Sequence, residues 1–201
     1  MGKRSDFERK PRDYYPTPIE AVIPLIPHLP KKGLFAEPCA GDGRLIKHIE
    51  ELSNLKAYWM TDIEPQVDWV GEFDVFDADV SACDVCITNP PWDRKILHPM
   101  IEHLAEQTPT WLLFDADWMH TKQAMIYMHL CRKIVSVGRV KWFGNTSGKD
   151  NCCWYLFSKQ THQNTTVDNF TIHMNCGIIT TSNNRNQYGQ KNRRTRSRSS
   201  R

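Results

Sequence analysis

The chain has 201 residues, 26 Lys and Arg against 23 Asp and Glu, and a formal charge of +3. That length suits one domain with a full core. No apolar run approaches the roughly 20 residues that span a bilayer, and the seven cysteines show no disulfide-framework spacing.

The charge is unevenly placed. Residues 1–12 carry a net +3, residues 185–201 carry +7 without one acid, and residues 13–184 are left at −7. An acidic body with two basic ends points to a phosphate-bearing partner, because the body alone repels a polyanion. Residues 1–13 read as a basic arm, residues 14–180 as one folded domain, and residues 181–201 as a disordered basic tail too polar to form a core.

In chain order, a short helix starts after Thr17-Pro18, with Thr17 as N-cap and Pro18 in the first turn. Gly33–Glu37 is a first strand. Ala40–Gly43 is a turn, and Arg44–Leu52 a helix with Leu45, Ile46 and Ile49 on one face. Ala57–Ile63, Phe73–Phe76, Cys83–Thr88 and Thr110–Phe114 read as strands. Arg94–Glu106 and Trp118–Cys131 read as helices. Ile134–Trp142 and Cys152–Ser158 form a final strand pair, and Phe170–Met174 adds a further short strand. The early strands are apolar on consecutive residues, as both-face burial requires. The expected fold is therefore α/β: a mostly parallel sheet of seven strands with a C-terminal antiparallel hairpin and helices on both faces.

Four stretches carry chemistry. Asn89-Pro90-Pro91-Trp92 follows the apolar Val85-Cys86-Ile87. Such a turn presents a side-chain amide and a backbone carbonyl, stiffened by two prolines, beside an aromatic ring. That arrangement suits a planar ring with an exocyclic NH2. Glu37-Pro38-Cys39-Ala40-Gly41-Asp42-Gly43 is a strand-to-helix turn whose glycines admit a ligand at the carboxyl edge of the sheet. Ile46 stands where a dinucleotide fingerprint needs its third glycine, and Glu37 suits a cation better than a pyrophosphate. Asp62, closing the second strand, either accepts from ribose hydroxyls, with Ile63 over a purine, or caps the next element. Asp74 either accepts from an adenine amino group or is a surface acid. Cys83-x-x-Cys86 lacks a second pair at zinc spacing, so no metal is expected.

In this order, the four stretches resemble the S-adenosylmethionine-dependent DNA adenine-N6 methyltransferases, over residues 14 to about 158. Asn89–Trp92 matches their (Asn/Asp/Ser)-Pro-Pro-(aromatic) motif, and Glu37–Gly43 matches their cofactor loop. Tyr15-Pro16-Thr17-Pro18 resembles the motif that closes over the methionine moiety in one permutation class. Arg139-Val140-Lys141-Trp142, Gly148-Lys149-Asp150-Asn151 and Trp154-Tyr155 are similar to the hairpin and late strand of small phage-type members.

The resemblance implies a Rossmann-like class I methyltransferase domain over residues 14–180 and S-adenosylmethionine as cofactor. It implies methyl transfer to adenine N6 in DNA after base extrusion. Catalytic roles fall to Asn89, Pro90, Pro91 and Trp92, with Trp92 stacking on the base. Cofactor contacts fall to Tyr15, Thr17, Pro18, Glu37, Cys39, Gly41, Gly43, Asp62, Ile63, Asp74 and Val75. Nucleic-acid contacts fall to Lys141, Lys149, Arg193, Arg194, Arg196 and Arg198. DNA is the expected partner, with RNA the nearest competitor and a protein glutamine amide or a non-catalytic binding subunit behind it. No membrane contact is expected, and a prokaryotic or phage-infected cytoplasm is the expected location. Beside larger members with a separate target-recognition domain, only the loop 143–151 and the tails are left for that role, so a short site, a relaxed site or readout through a dimer partner is expected.

Overall fold

The computed structural model describes residues 14–142 and 150–159, together with the backbone of Thr171–Met174 and Gly177–Ile179. The expected arm, the tail, Lys149, Arg193, Arg194, Arg196 and Arg198 lie outside the described residues.

The helices are α1 (Ile19–Val22), α2 (Arg44–Leu52) and α3 (Arg94–Gln107). The strands are β1 (Gly33–Glu37), β2 (Leu55–Asp62), β3 (Gly71–Glu72), β4 (Val85–Thr88), β5 (Thr110–Asp115), β6 (Cys131–Arg139), β7 (Asn151–Phe157), β8 (Thr171–Met174) and β9 (Gly177–Ile179). They form one sheet in the order β3-β2-β1-β4-β5-β7-β6-β8-β9. Strands β1 to β5 run parallel to one another, and β7 runs antiparallel between β5 and β6. The seven-stranded unit expected from the sequence is therefore present, and β8 and β9 extend it at the far edge.

The central strands are buried on both faces, which explains their continuous apolar sequence. Alternate residues serve opposite layers. Phe35, Val85, Ile87, Trp111 and Leu113 pack with α1 and α2. Ala36, Cys86, Leu112, Phe114 and Tyr155 pack with α3 and Trp118. Phe35, Ile87, Phe114 and Phe157 are fully buried, each worth about 1.5–3 kcal/mol of transfer free energy. Trp154 also donates its indole N–H to the Ala21 carbonyl at 2.7 Å, tying β7 to α1. Both Trp154 and Tyr155 are core residues.

Three local expectations are corrected. Trp118–Cys131 is not one helix but two 3-10 turns, Ala116–His120 and Ala124–Ile126. The Thr121 hydroxyl donates to the Trp118 carbonyl at 2.8 Å and accepts from the Ala124 amide at 3.3 Å. It thereby ends the first turn and starts the second, a local side-chain bond that competes with helix propagation. The third strand is only Gly71–Glu72, because the Asp74 carboxylate accepts from the Phe76 amide and opens a 3-10 turn over Val75–Asp77. Helix α1 begins after Pro18 with no side-chain cap; Thr17 is buried. A 3-10 segment, Ile23–His28, continues α1 through Pro24 and Pro27.

Candidate active site

The strand order reverses between β1 and β4, so the loops leaving these two strands diverge and open a crevice at the carboxyl edge. A cavity of about 900 Å³ lies there. Its wall brings together Tyr15, Thr17, Cys39, Gly41, Asp62, Ile63, Asp74, Val75, Asn89 and Pro91 of the expected site. Pro18, Glu37, Gly43, Pro90 and Trp92 are not on that wall.

The turn after β1 is held by its own backbone and by Asp62. Gly41 has φ +53°, and a side chain there would strike the Tyr14 ring. Its N–H donates to Asp62 Oδ2 at 2.8 Å, while Asp62 Oδ1 accepts from the Glu64 amide at 2.8 Å. Asp62 thus joins two loops as well as facing the cavity. Gly43 is also left-handed, at φ +71°, but its open side is filled by the Trp69 ring, over which the Lys47 ammonium sits at 5.4 Å. The space a side chain would take at Gly43 is occupied by Trp69.

Glu37 ends β1 and is 1 % exposed. The Thr88 hydroxyl donates to its Oε1, and Oε2 has no partner. Burial raises its pKa to about 8, against the partial relief from Thr88 and the Cys39 amide and with a smaller upward push from Asp62. Burial, then the neighbouring Glu37, also holds the Cys39 thiol far above its ordinary range. Glu37 therefore sits beneath the turn rather than on the cavity surface, as a protonated acid at neutral pH.

At the end of β4, Asn89 Nδ2 donates to the Tyr15 carbonyl at 3.0 Å. A carbonyl only accepts, so the amide's NH2 must face Tyr15, and Oδ1 points the other way. Pro90 is buried and Pro91 half-buried. The Trp92 indole donates to the Leu113 carbonyl at 3.2 Å, and its ring meets Trp142 edge-to-face at 5.9 Å. Trp142 in turn lies 6.0 Å from the Tyr15 ring. Trp92 is thus a half-buried ring held by β5 and Trp142. Asp93 caps α3 by accepting from the Lys95 amide, and Ile96 and Met100 extend the cavity wall along that helix. Lys141 is exposed and is not on the cavity wall.

Sequence reasoning missed Tyr14, Asp42, Glu64, Gln66, Asp93, Ile96 and Met100 on the wall. An Asp directly after the Asn-Pro-Pro-Trp turn, followed by apolar residues four apart, is the signal that marks the last three. Five wall residues are carboxylates (Asp42, Asp62, Glu64, Asp74, Asp93), and none is Lys, Arg or His. Such a wall favours a cationic ligand and disfavours a phosphate. Among the described residues no group of three or more His, Cys, Asp or Glu is placed to hold a metal, and no helix is long and apolar enough to cross a membrane.

The sequence matches no known family description and no curated protein. Solved structures do share the fold. A candidate RNA methyltransferase of Pyrococcus horikoshii superposes with a TM-score of 0.57 at 14% identity, over 79% of this chain and 95% of its own. A candidate class I S-adenosylmethionine-dependent methyltransferase of Listeria monocytogenes gives 0.54 at 10% identity, over 78% of this chain and 64% of its own. The fold of this chain is that of the class I methyltransferases.

Proposed function

We propose that the chain is an S-adenosylmethionine-dependent methyltransferase acting on the N6 amino group of adenine in DNA. The observation that carries the reading is the Asn89 amide, beside the acidic crevice and turned by the Tyr15 carbonyl so that Oδ1 is available as an acceptor. The residues present fit the cofactor: a sulfonium and an ammonium suit the five carboxylates of the wall. Asp62 and Asp74 would hold its ribose and adenine, with Ile63 and Val75 against the ring. The cofactor supplies an electrophilic methyl group.

The protein supplies position and charge. The adenine amino nitrogen is a poor nucleophile because its lone pair is shared with the ring. Asn89 Oδ1 and the Pro90 carbonyl accept its two hydrogens and favour a tetrahedral nitrogen with a directed lone pair. The nitrogen would gain the methyl carbon as the carbon–sulfur bond breaks and leaves a neutral thioether, and would then release a proton to water, so no general base is needed. A base inside a duplex cannot reach this edge, so it must be extruded. An adenine in RNA fits the same atoms. RNA is the substrate class named for the Pyrococcus protein, and the extruded base is identical.

The test is transfer from tritiated S-adenosylmethionine to DNA, RNA and protein acceptors, with nucleoside analysis of the product. Label in N6-methyladenine from DNA supports the reading. Label only in RNA moves the substrate, label in protein refutes the nucleic-acid reading, and no cofactor binding refutes the enzyme. Asn89→Ala should fold normally and lose turnover by orders of magnitude.

A further inference from the structure

An amide side chain looks nearly the same after a half-turn, but its chemistry reverses. With Oδ1 toward the substrate, Asn89 accepts; with Nδ2 there, it opposes the hydrogens of an amino group. One bond selects between the two: Nδ2 to the Tyr15 carbonyl at 3.0 Å. Tyr15 belongs to the segment that precedes α1, 74 positions away in sequence, and its ring rests on Trp142 at 6.0 Å. The same Trp142 meets Trp92 at 5.9 Å and 80°, and Trp92 is anchored to β5 through the Leu113 carbonyl. A single indole therefore braces both partners of the orienting bond, the segment carrying the carbonyl and the turn carrying the amide.

We propose that Trp142 is a positioning residue that locks the Asn89 amide in its accepting orientation, by holding Tyr15 and Trp92 in register. The inference rests on the methyl-transfer reading for its consequence, but the lock itself is a property of the ligand-free protein. Removing the ring takes away one brace shared by the Tyr15 segment and the Asn89 turn and weakens the hold on the amide. The expected cost is about fivefold in kcat, the weight of one net hydrogen bond. Trp142 is itself not on the cavity wall, so any change in cofactor affinity is transmitted through Tyr15 and is measured separately from kcat.

The experiment is a double-mutant cycle of Trp142→Ala with Asn89→Asp, with Trp142→Phe as the conservative variant. A carboxylate has two equivalent oxygens and nothing to orient. Trp142→Ala should therefore cost about fivefold beside Asn89 and almost nothing beside an Asp at 89, and Trp142→Phe should retain most turnover. An equal loss in both backgrounds makes the indole merely structural and overturns the lock. Asparagine-selective ¹⁵N labelling provides a readout independent of turnover. The Asn89 NH2 pair should show a hydrogen-bonded, slowly exchanging proton in the parent and in Trp142→Phe, and should lose it in Trp142→Ala. An unchanged pair also overturns the proposal. Should the parent transfer no methyl group at all, the function proposed above fails while the spectra still decide the lock.

Discussion

Replacing Glu37 with Gln should stabilise the ligand-free protein at pH 8 and do little at pH 5. The acid is fully buried with Oε1 receiving the Thr88 hydroxyl and Oε2 unpartnered. Its pKa rises from an ordinary 4.5 to about 8, burial being the main cause. Between those two values the unfolded chain has given up the proton and the native state keeps it. Stability therefore falls as pH rises through that window, and the contribution is flat below 4.5 and above 8. The slope is about 1.4 kcal/mol per pH unit, which accumulates to about 5 kcal/mol at most. Gln reproduces the neutral acid, accepting from Thr88 with its oxygen, and does not titrate. Urea unfolding of both proteins at pH 5, 6.5 and 8 reads the difference directly. The advantage of the Gln variant should widen by several kcal/mol over that range. A constant difference across all three pH values would refute a protonated Glu37.

Gly43→Ala should destabilise by about 1–2 kcal/mol from its left-handed backbone, and further because the new methyl would overlap the Trp69 ring. Adding Trp69→Ala should restore the steric part only, as read from urea midpoints. Trp154→Phe should cost about 1–3 kcal/mol, because the buried Ala21 carbonyl loses its 2.7 Å donor; thermal unfolding checks it. Deleting residues 185–201 removes seven cations and no acid. It should weaken nucleic-acid binding at low salt and flatten its salt dependence, with a slope change of up to about 0.9 per lost phosphate contact.

The sheet was legible because its signals are local. Val85-Cys86-Ile87 and Trp111-Leu112-Leu113-Phe114 are apolar without a break, as expected of strands covered on both faces. The Asn89 turn was legible because a proline pair after such a strand leaves the chain few conformations. What escaped the sequence depends on partners far along the chain. Trp69, 26 residues on, fills the open side of Gly43. Trp142 and the Leu113 carbonyl hold Trp92. Glu37 was expected to answer a cation, but not to be a buried, protonated acid, since burial is a property of the assembled sheet. The helix expected over Trp118–Cys131 is interrupted at Thr121, whose hydroxyl bonds to Trp118 and Ala124 compete with the residues' modest helix preference.

Nucleoside mass spectrometry on DNA from a host expressing the chain reads the central claim most directly, with the Asn89→Ala variant as control. N6-methyladenine that accumulates with the parent and vanishes with the variant is the predicted result. Parent and variant DNA with the same content of the modified base, while both proteins are folded and abundant, would contradict it.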